Sequence, residues 1–174
     1  MKVVLIFDQG LAGAGGKSNP NVGLQIAKGG IGSALMLQPH FDKIDAKVFA
    51  TLYCGNQYFL NNEQEVIDKM TAMVKKINPD MVVCGPCFNF IDYAKMCAEL
   101  TDNISKTTDI PVVTMMSDDN AETIAEFKDK ISIIKMPKKG GVGLSDSFED
   151  LIKWMKLKHE NSEELSELEK KICY

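Results

Sequence analysis

The apolar residues of this chain fall into two patterns, short continuous runs and longer stretches with helical spacing. Such runs, uninterrupted by polar residues, are typical of strands covered on both faces, as in a parallel sheet. We therefore predict about five strands. They are expected at residues 2–7, 46–54, 81–84, 110–114 and 131–135.

The stretches between these runs carry the helical pattern. The clearest helix is predicted at residues 62–77, where Asn62 can serve as the cap. One apolar stripe follows this helix: Val66, Met70, Met73, Val74 and Ile77. Further helices are predicted at residues 33–41, 90–105, 122–127, 147–158 and 162–172. The glycine-bearing stretches 8–32 and 138–145 are predicted to be loops.

Strands separated by helices of this length predict an α/β fold, a three-layer sandwich around a mostly parallel sheet with right-handed crossovers. A length of 174 residues fits one domain with its own core. We expect a single α/β domain over residues 1–158 and a charged C-terminal helix over residues 159–174.

The loops that follow the strands are expected to meet at one edge of the sheet and to line a single pocket. They lie at residues 8–17, 54–58, 84–89, 114–120 and 138–145. Glycine backbone in the first loop can approach an anion closely. Asn89 and Asn120 follow strand ends, where a side-chain amide either holds a substrate carboxylate or closes a turn.

The main candidate for chemistry is the dithiol Cys84-Gly85-Pro86-Cys87 at a strand-to-helix junction. A thiolate near a helix N-terminus is stabilised by unpaired N–H groups, so its pKa falls. The spacing would let one thiol resolve a mixed disulfide formed by the other. The alternative is that Cys84 and Cys87 are simply small buried residues.

Three other motif interpretations fit poorly. The CGPC motif occurs in thioredoxin, but Val83 replaces the expected aromatic residue and Pro111 follows at the wrong distance. Gly16-Lys17-Ser18 resembles a phosphate loop, yet Leu11 stands where that loop needs a glycine. Zinc would need further ligands, and no second CxxC or HxxxH pair occurs, so we predict no metal site.

Charge and composition exclude several functional classes. The net charge is -4 and the lysines are scattered among acids, which argues against nucleic acid. No apolar stretch approaches the roughly 18 residues of a membrane helix. The chain has 5 cysteines, an odd number, and a core of its own, which is unlike a secreted disulfide framework. Reduced thiols and a cytoplasmic location are therefore expected.

The loops and strand ends also resemble a known family. The resemblance runs from residue 1 to about residue 158, and the family is the selenoprotein subunit of component B of glycine, sarcosine and betaine reductases from anaerobic bacteria. The chain is similar to the N-terminal half of that subunit. The matching residues are AGAGG at 12–16, CGNQYF at 54–59, Asn62, NPD at 78–80, Gly85-Pro86, Phe88-Asn89, Tyr93, Cys97 and IPVVT at 110–114.

The resemblance implies an oxidoreductase that cleaves the C–N bond of a small amino acid or its N-methyl derivative. In that family a selenolate takes the carboxymethyl group and passes it to a partner selenoprotein. The implied partners are other reductase subunits or a thiol-reducing protein. The implied substrate-binding residues, together with the two asparagines above, are Gly13, Gly15, Gly16, Asn56 and Tyr58.

The chain departs from the family in several places. The selenocysteine of the family lies in its C-terminal half, which has no counterpart here. The family tends to have alanines at Cys84 and Cys87, arginine at Asp92 and glycine at Met115. An aspartate in place of arginine would change the charge offered to a carboxylate.

Two functional hypotheses follow from these observations. In the first, Cys84 and Cys87 supply thiol redox chemistry at a site related by duplication to the selenocysteine site, and this dithiol is the only redox group expected. In the second, the chain is a non-catalytic small-ligand-binding or assembly subunit that keeps the scaffold. Homo-oligomerisation is left open by the sequence.

Overall fold

The computed structural model describes residues 1–174 and contains six strands and seven helices. The strands are β1 (Lys2–Asp8), β2 (Gln25–Lys28), β3 (Lys47–Cys54), β4 (Met81–Cys87), β5 (Val112–Ser117) and β6 (Ile133–Met136). The helices are α1 (Ala34–Phe41), α2 (Asn56–Asn61), α3 (Glu63–Ile77), α4 (Ile91–Thr107), α5 (Ala121–Phe127), α6 (Leu144–His159) and α7 (Leu165–Ile172).

The strands form one 6-stranded sheet in the order β2-β3-β1-β4-β5-β6. All neighbouring pairs are parallel except β2 and β3, which are antiparallel. The mostly parallel sheet is therefore confirmed, with one strand more than predicted. The extra strand, β2, lies inside the stretch 8–32 that was predicted to be a loop. Its four residues are too short and too exposed to produce an apolar run.

Helices cover both faces of the sheet, which confirms the three-layer sandwich. Helices α2, α3, α4 and α5 pack on one face, and α1, α6 and α7 pack on the other. Side chains alternate between the two cores along β1: Val4 and Ile6 point to the first, and Val3, Leu5 and Phe7 to the second. This double coverage explains why the central strands read as continuous apolar runs.

The structure corrects two details of the predicted elements. Strand β4 continues through Cys87, so the CGPC motif lies within the strand and not after it. Asn62 precedes α3, but its side chain makes no capping bond; its Nδ2 donates instead to the carbonyl of Tyr58 at 2.9 Å. The apolar stripe of α3 is present, with Val66 and Met70 fully buried.

The C-terminal residues pack against the last strand. The carboxylate of Glu169 accepts hydrogen bonds from Ser132 Oγ at 2.6 Å and Trp154 Nε1 at 2.8 Å. Cys173 forms an antiparallel bridge with Ile134, and the Tyr174 N–H donates to the carbonyl of Ile133 at 3.1 Å. The outer edge of β6 is thereby covered. None of the helices has the length and apolar character that crossing a membrane requires.

Candidate functional site

A cavity of about 600 Å³ opens at the edge of the sheet where the parallel strands end. Four of the five predicted loops line it, those that follow β1, β3, β4 and β6. The loop after β5 does not reach it. The polar and aromatic side chains around the cavity are Asp8, Gln9, Lys17, Ser33, Asn56, Gln57, Phe88, Phe90 and Lys139.

Side-chain amides form a hydrogen-bonded chain along one wall of the cavity. The Asn56 backbone N–H donates to Gln9 Oε1 at 3.0 Å, and Gln9 Nε2 donates to Asn56 Oδ1 at 3.3 Å. Gln57 Nε2 then donates to Asp92 Oδ2 at 3.1 Å. Because Gln9 is buried and held from both ends, this wall is pre-organised before any ligand arrives.

Asp8 lies at the end of β1 and is almost fully buried. Its Oδ1 accepts the backbone N–H of Leu11 at 2.7 Å. Burial raises the pKa of the Asp8 carboxyl, and the N–H bonds from Leu11 and Gly10 oppose that rise. The cavity therefore contains an acid that is easier to protonate than an ordinary aspartate.

Two lysines lie close to the Phe90 ring at the cavity. The Lys17 ammonium is 5.6 Å from the ring centroid and the Lys139 ammonium is 5.5 Å from it. Neither lysine forms an ion pair with an acidic side chain. Helix α4 starts directly after Phe90 without a side-chain cap, so its positive end adds to the same field. This side of the cavity attracts anions.

The predicted ligand-binding residues are only partly brought together. Gly16 and Asn56 line the cavity. Gly13 and Gly15 lie in the same loop with positive φ angles of 73° and 106°, but they do not line it. Tyr58 packs partly buried against the first core, outside the cavity lining.

The two asparagines also lie outside the cavity. Asn89 is exposed. Asn120 is buried, and its Nδ2 donates to the carbonyls of Cys87 at 3.3 Å, Ser117 at 3.2 Å and Phe88. Its amide therefore holds the backbone after β4 in place.

Several cavity residues were missed by the sequence argument: Gln9, Lys17, Gln57, Phe90 and Lys139. A signal existed for the lysines, since both follow strand ends in glycine-bearing loops. No local signal distinguishes Phe90 from an ordinary helix-start residue, and its role depends on the lysines that the fold brings to it from β1 and β6.

The dithiol does not reach the cavity. Cys84 and Cys87 are both 0% exposed and belong to the core under α4. Burial raises the pKa of Cys84 well above its usual value, and contact with the Cys97 thiol adds to the rise. The prediction of an easily ionised thiol at Cys84 is therefore wrong. Because β4 continues through Cys87, Cys84 is buried within the strand and not placed at the helix N-terminus.

A third thiol completes a buried sulfur cluster. Cys97, on α4, is within hydrogen-bonding reach of Cys84, Cys87 and Tyr93, and burial raises its pKa well above the usual value. The Tyr93 hydroxyl donates to the carbonyl of Ile6 at 2.8 Å, which ties α4 to β1. The chain contains no group of three or more His, Cys, Asp or Glu side chains arranged to hold a metal ion.

Comparisons with known proteins agree with this architecture. The model of the glycine/sarcosine/betaine reductase selenoprotein B family matches residues 1–172. The chain is 32% identical over 133 residues to the glycine reductase complex component B subunit gamma of Carboxydothermus hydrogenoformans, covering 76% of this chain and 30% of that protein.

Two further relatives extend the comparison. The component B subunit gamma of the glycine reductase complex of Peptoclostridium litorale is 28% identical over 95% of this chain and 37% of its own length. The sarcosine reductase complex component B subunit beta of Peptoclostridium acidaminophilum is 30% identical over 69% of this chain and 27% of its own length. The chain thus spans about a third of the length of the curated relatives it matches.

Proposed function

Since the chain belongs to the glycine/sarcosine/betaine reductase selenoprotein B family, we propose that it is the ligand-binding subunit of a reductase system of that type. Its cavity at the sheet edge holds the carboxylate of a small amino-acid-like molecule. Reduction then takes place on a partner subunit; the relatives are named as subunits of reductase complexes.

The observation that carries this proposal is the pair of unpaired lysines beside a pre-organised polar wall. The sequence contains no arginine; all 20 basic residues are lysines. A carboxylate ligand therefore cannot be held by a bidentate guanidinium and must bind ammonium or N–H groups. Lys17 and Lys139 are the two ammonium groups that line the cavity.

The opposite charge lies across the same cavity. Asp8 and the amides of Gln9 and Asn56 line it, and they can accept hydrogen bonds from a ligand ammonium. A molecule with a carboxylate at one end and an amine at the other would therefore find a partner for each group. The cavity volume of about 600 Å³ falls within the range of about 300–1,000 Å³ typical of ligand sites, so a partner's reactive group can enter beside a small ligand.

The catalytic role suggested for Cys84 and Cys87 receives less support than ligand binding. A nucleophilic thiol must ionise and touch its substrate, whereas both sulfurs are covered by α4. Redox chemistry at these residues would require α4 to separate from β4. We therefore favour the binding subunit over the dithiol enzyme.

Calorimetric titration of the chain with glycine, sarcosine and betaine tests the binding proposal. Hydrogen bonds to charged groups contribute about 1.5–3 kcal/mol, so replacing Lys17 and Lys139 together by alanine should weaken binding about tenfold or more. Lys75→Ala is the matched control, because Lys75 is an exposed lysine on α3 without an ion pair. Equal affinity of the double variant and the control, or no binding of any of the three ligands, would refute the proposal.

A further inference from the structure

The two edge strands of the sheet differ in whether their outer side is covered. The edge at β6 is covered by Cys173 and Tyr174. At the opposite edge, β2 pairs only with β3 and has no neighbour on its outer side. An uncovered strand presents unpaired N–H and C=O groups in the geometry that another strand requires.

The register identifies which backbone groups are free. The Gly29 N–H donates to the carbonyl of Phe49 at 2.8 Å, and the register continues as Ala27↔Thr51. In an antiparallel pair, residues alternate between facing the partner and facing away. The N–H and C=O groups of Ile26 and Lys28 therefore point outward from the sheet.

The side chains around this edge are apolar and cationic. Ile26 is 54% exposed and Phe49 is 51% exposed, two of the few large apolar side chains that the molecule leaves in solvent. A groove of about 480 Å³ beside Phe49 is lined by Lys2, Lys28 and Lys47, with Asp45 as its only acid. Lys28 and Lys47 form no ion pair.

We propose that the β2 edge is a docking site for an extended, acidic segment of a partner protein, which adds to the sheet as a further strand. Main-chain hydrogen bonds from Ile26 and Lys28 supply the pairing, as in other cases of strand addition. Apolar side chains of the segment cover Ile26 and Phe49, and its acidic side chains meet Lys28 and Lys47.

Charge selects this occupant over a second copy of the chain. The molecule as a whole has a net charge of -4, yet this edge is positive. Pairing two β2 edges would bring Lys28 and Lys47 of each copy towards those of the other, which costs free energy. An edge lysine is a known safeguard against self-pairing, whereas it attracts an acidic partner strand.

Hydrogen exchange of the free chain tests the edge geometry itself. The amides of Ile26 and Lys28 should exchange rapidly because they have no partner, whereas those of Ala27 and Gly29 should be protected. Protection of Ile26 and Lys28 at low protein concentration would mean that the edge is already occupied within the chain, and the proposal would fail.

A short synthetic peptide that alternates valine and glutamate serves as the binding probe, with NMR of the labelled chain as the readout. Binding should perturb and protect the Ile26 and Lys28 amides. Replacing Lys28 and Lys47 together by glutamate should weaken it about tenfold, whereas Lys128→Glu, at an exposed lysine outside the groove, should leave it unchanged. Ile26→Pro removes an outward N–H together with the exposed Ile26 side chain, and it should also weaken binding.

Three results would overturn the inference. They are equal binding of a peptide in which lysine replaces glutamate, perturbations outside the β2 edge, and dimerisation of the chain through β2 in sedimentation. The cavity residues that bind the small ligand are not involved in these measurements. Failure at the edge and failure at the cavity can therefore be told apart.

Discussion

At the scale of single residues, burial decides which groups can react and which can only hold structure. Cys84 and Asp8 are both buried, and burial raises the pKa of each. The Cys84 thiol is fully covered, and its burial favours the protonated form. Asp8 differs because it lines the cavity, where a cationic group of a ligand can pair with its carboxylate.

The raised pKa of Asp8 predicts how stability depends on pH. A carboxyl whose pKa is higher in the folded state than its ordinary value of 3.8 binds its proton more tightly when folded. Its contribution to stability is therefore greatest below the unfolded pKa and declines as the pH rises through the folded pKa. We expect Asp8→Asn to raise the free energy of unfolding at neutral pH. It should also remove the part of the decline in stability with rising pH that the Asp8 carboxyl causes.

Urea denaturation of both proteins across this pH range is the measurement. Asp109, an exposed aspartate, supplies the control variant Asp109→Asn. The account of Asp8 would be wrong if Asp8→Asn lowered stability more at neutral pH than at low pH, because that result would mean that the charged carboxylate stabilises the fold.

At the scale of elements, the loop after β4 is held by a residue from the end of β5. Asn120 Nδ2 donates to the carbonyls of Cys87, Phe88 and Ser117. This fixes the backbone between β4 and α4, and with it the position of Phe90 and of the lysines that approach its ring. Asn120 thus shapes the cavity without lining it.

Asn120→Ala should destabilise the protein by about 1–3 kcal/mol, because it leaves buried carbonyl groups without donors. Asn89→Ala, at an exposed position in the loop after β4, should change stability by less than about 0.5 kcal/mol. Chemical denaturation checks both values. Comparable small effects for the two variants would show that the Asn120 bonds do not hold the loop.

The elements also show what could be predicted from sequence. β1 and α3 were predicted correctly in type because burial on two faces and an apolar stripe leave strong local patterns. β2 was missed because an edge strand needs no apolar run. The end of β4 was misplaced because Gly85 and Pro86 usually mark a turn, whereas here Cys87 still pairs with Met116 across a register shift.

At the scale of the whole molecule, the groups that could bind a ligand line a cavity, whereas the thiols of the CGPC motif are buried. Its cavity gathers charges of both signs from the end of β1 and the loops after β1 and β6, while Cys84, Cys87 and Cys97 are enclosed between α4 and the sheet. The match covers about a third of each curated relative.

The most direct test of this account is an NMR titration of the isotope-labelled chain with glycine. Ligand binding at the sheet edge predicts that the largest shifts occur at the amides of Lys17, Gln57 and Lys139, with the signals of the buried thiol residues almost unchanged. Shifts centred on Cys84, Cys87 and Cys97, or no shift at the sheet edge at saturating glycine, would contradict it.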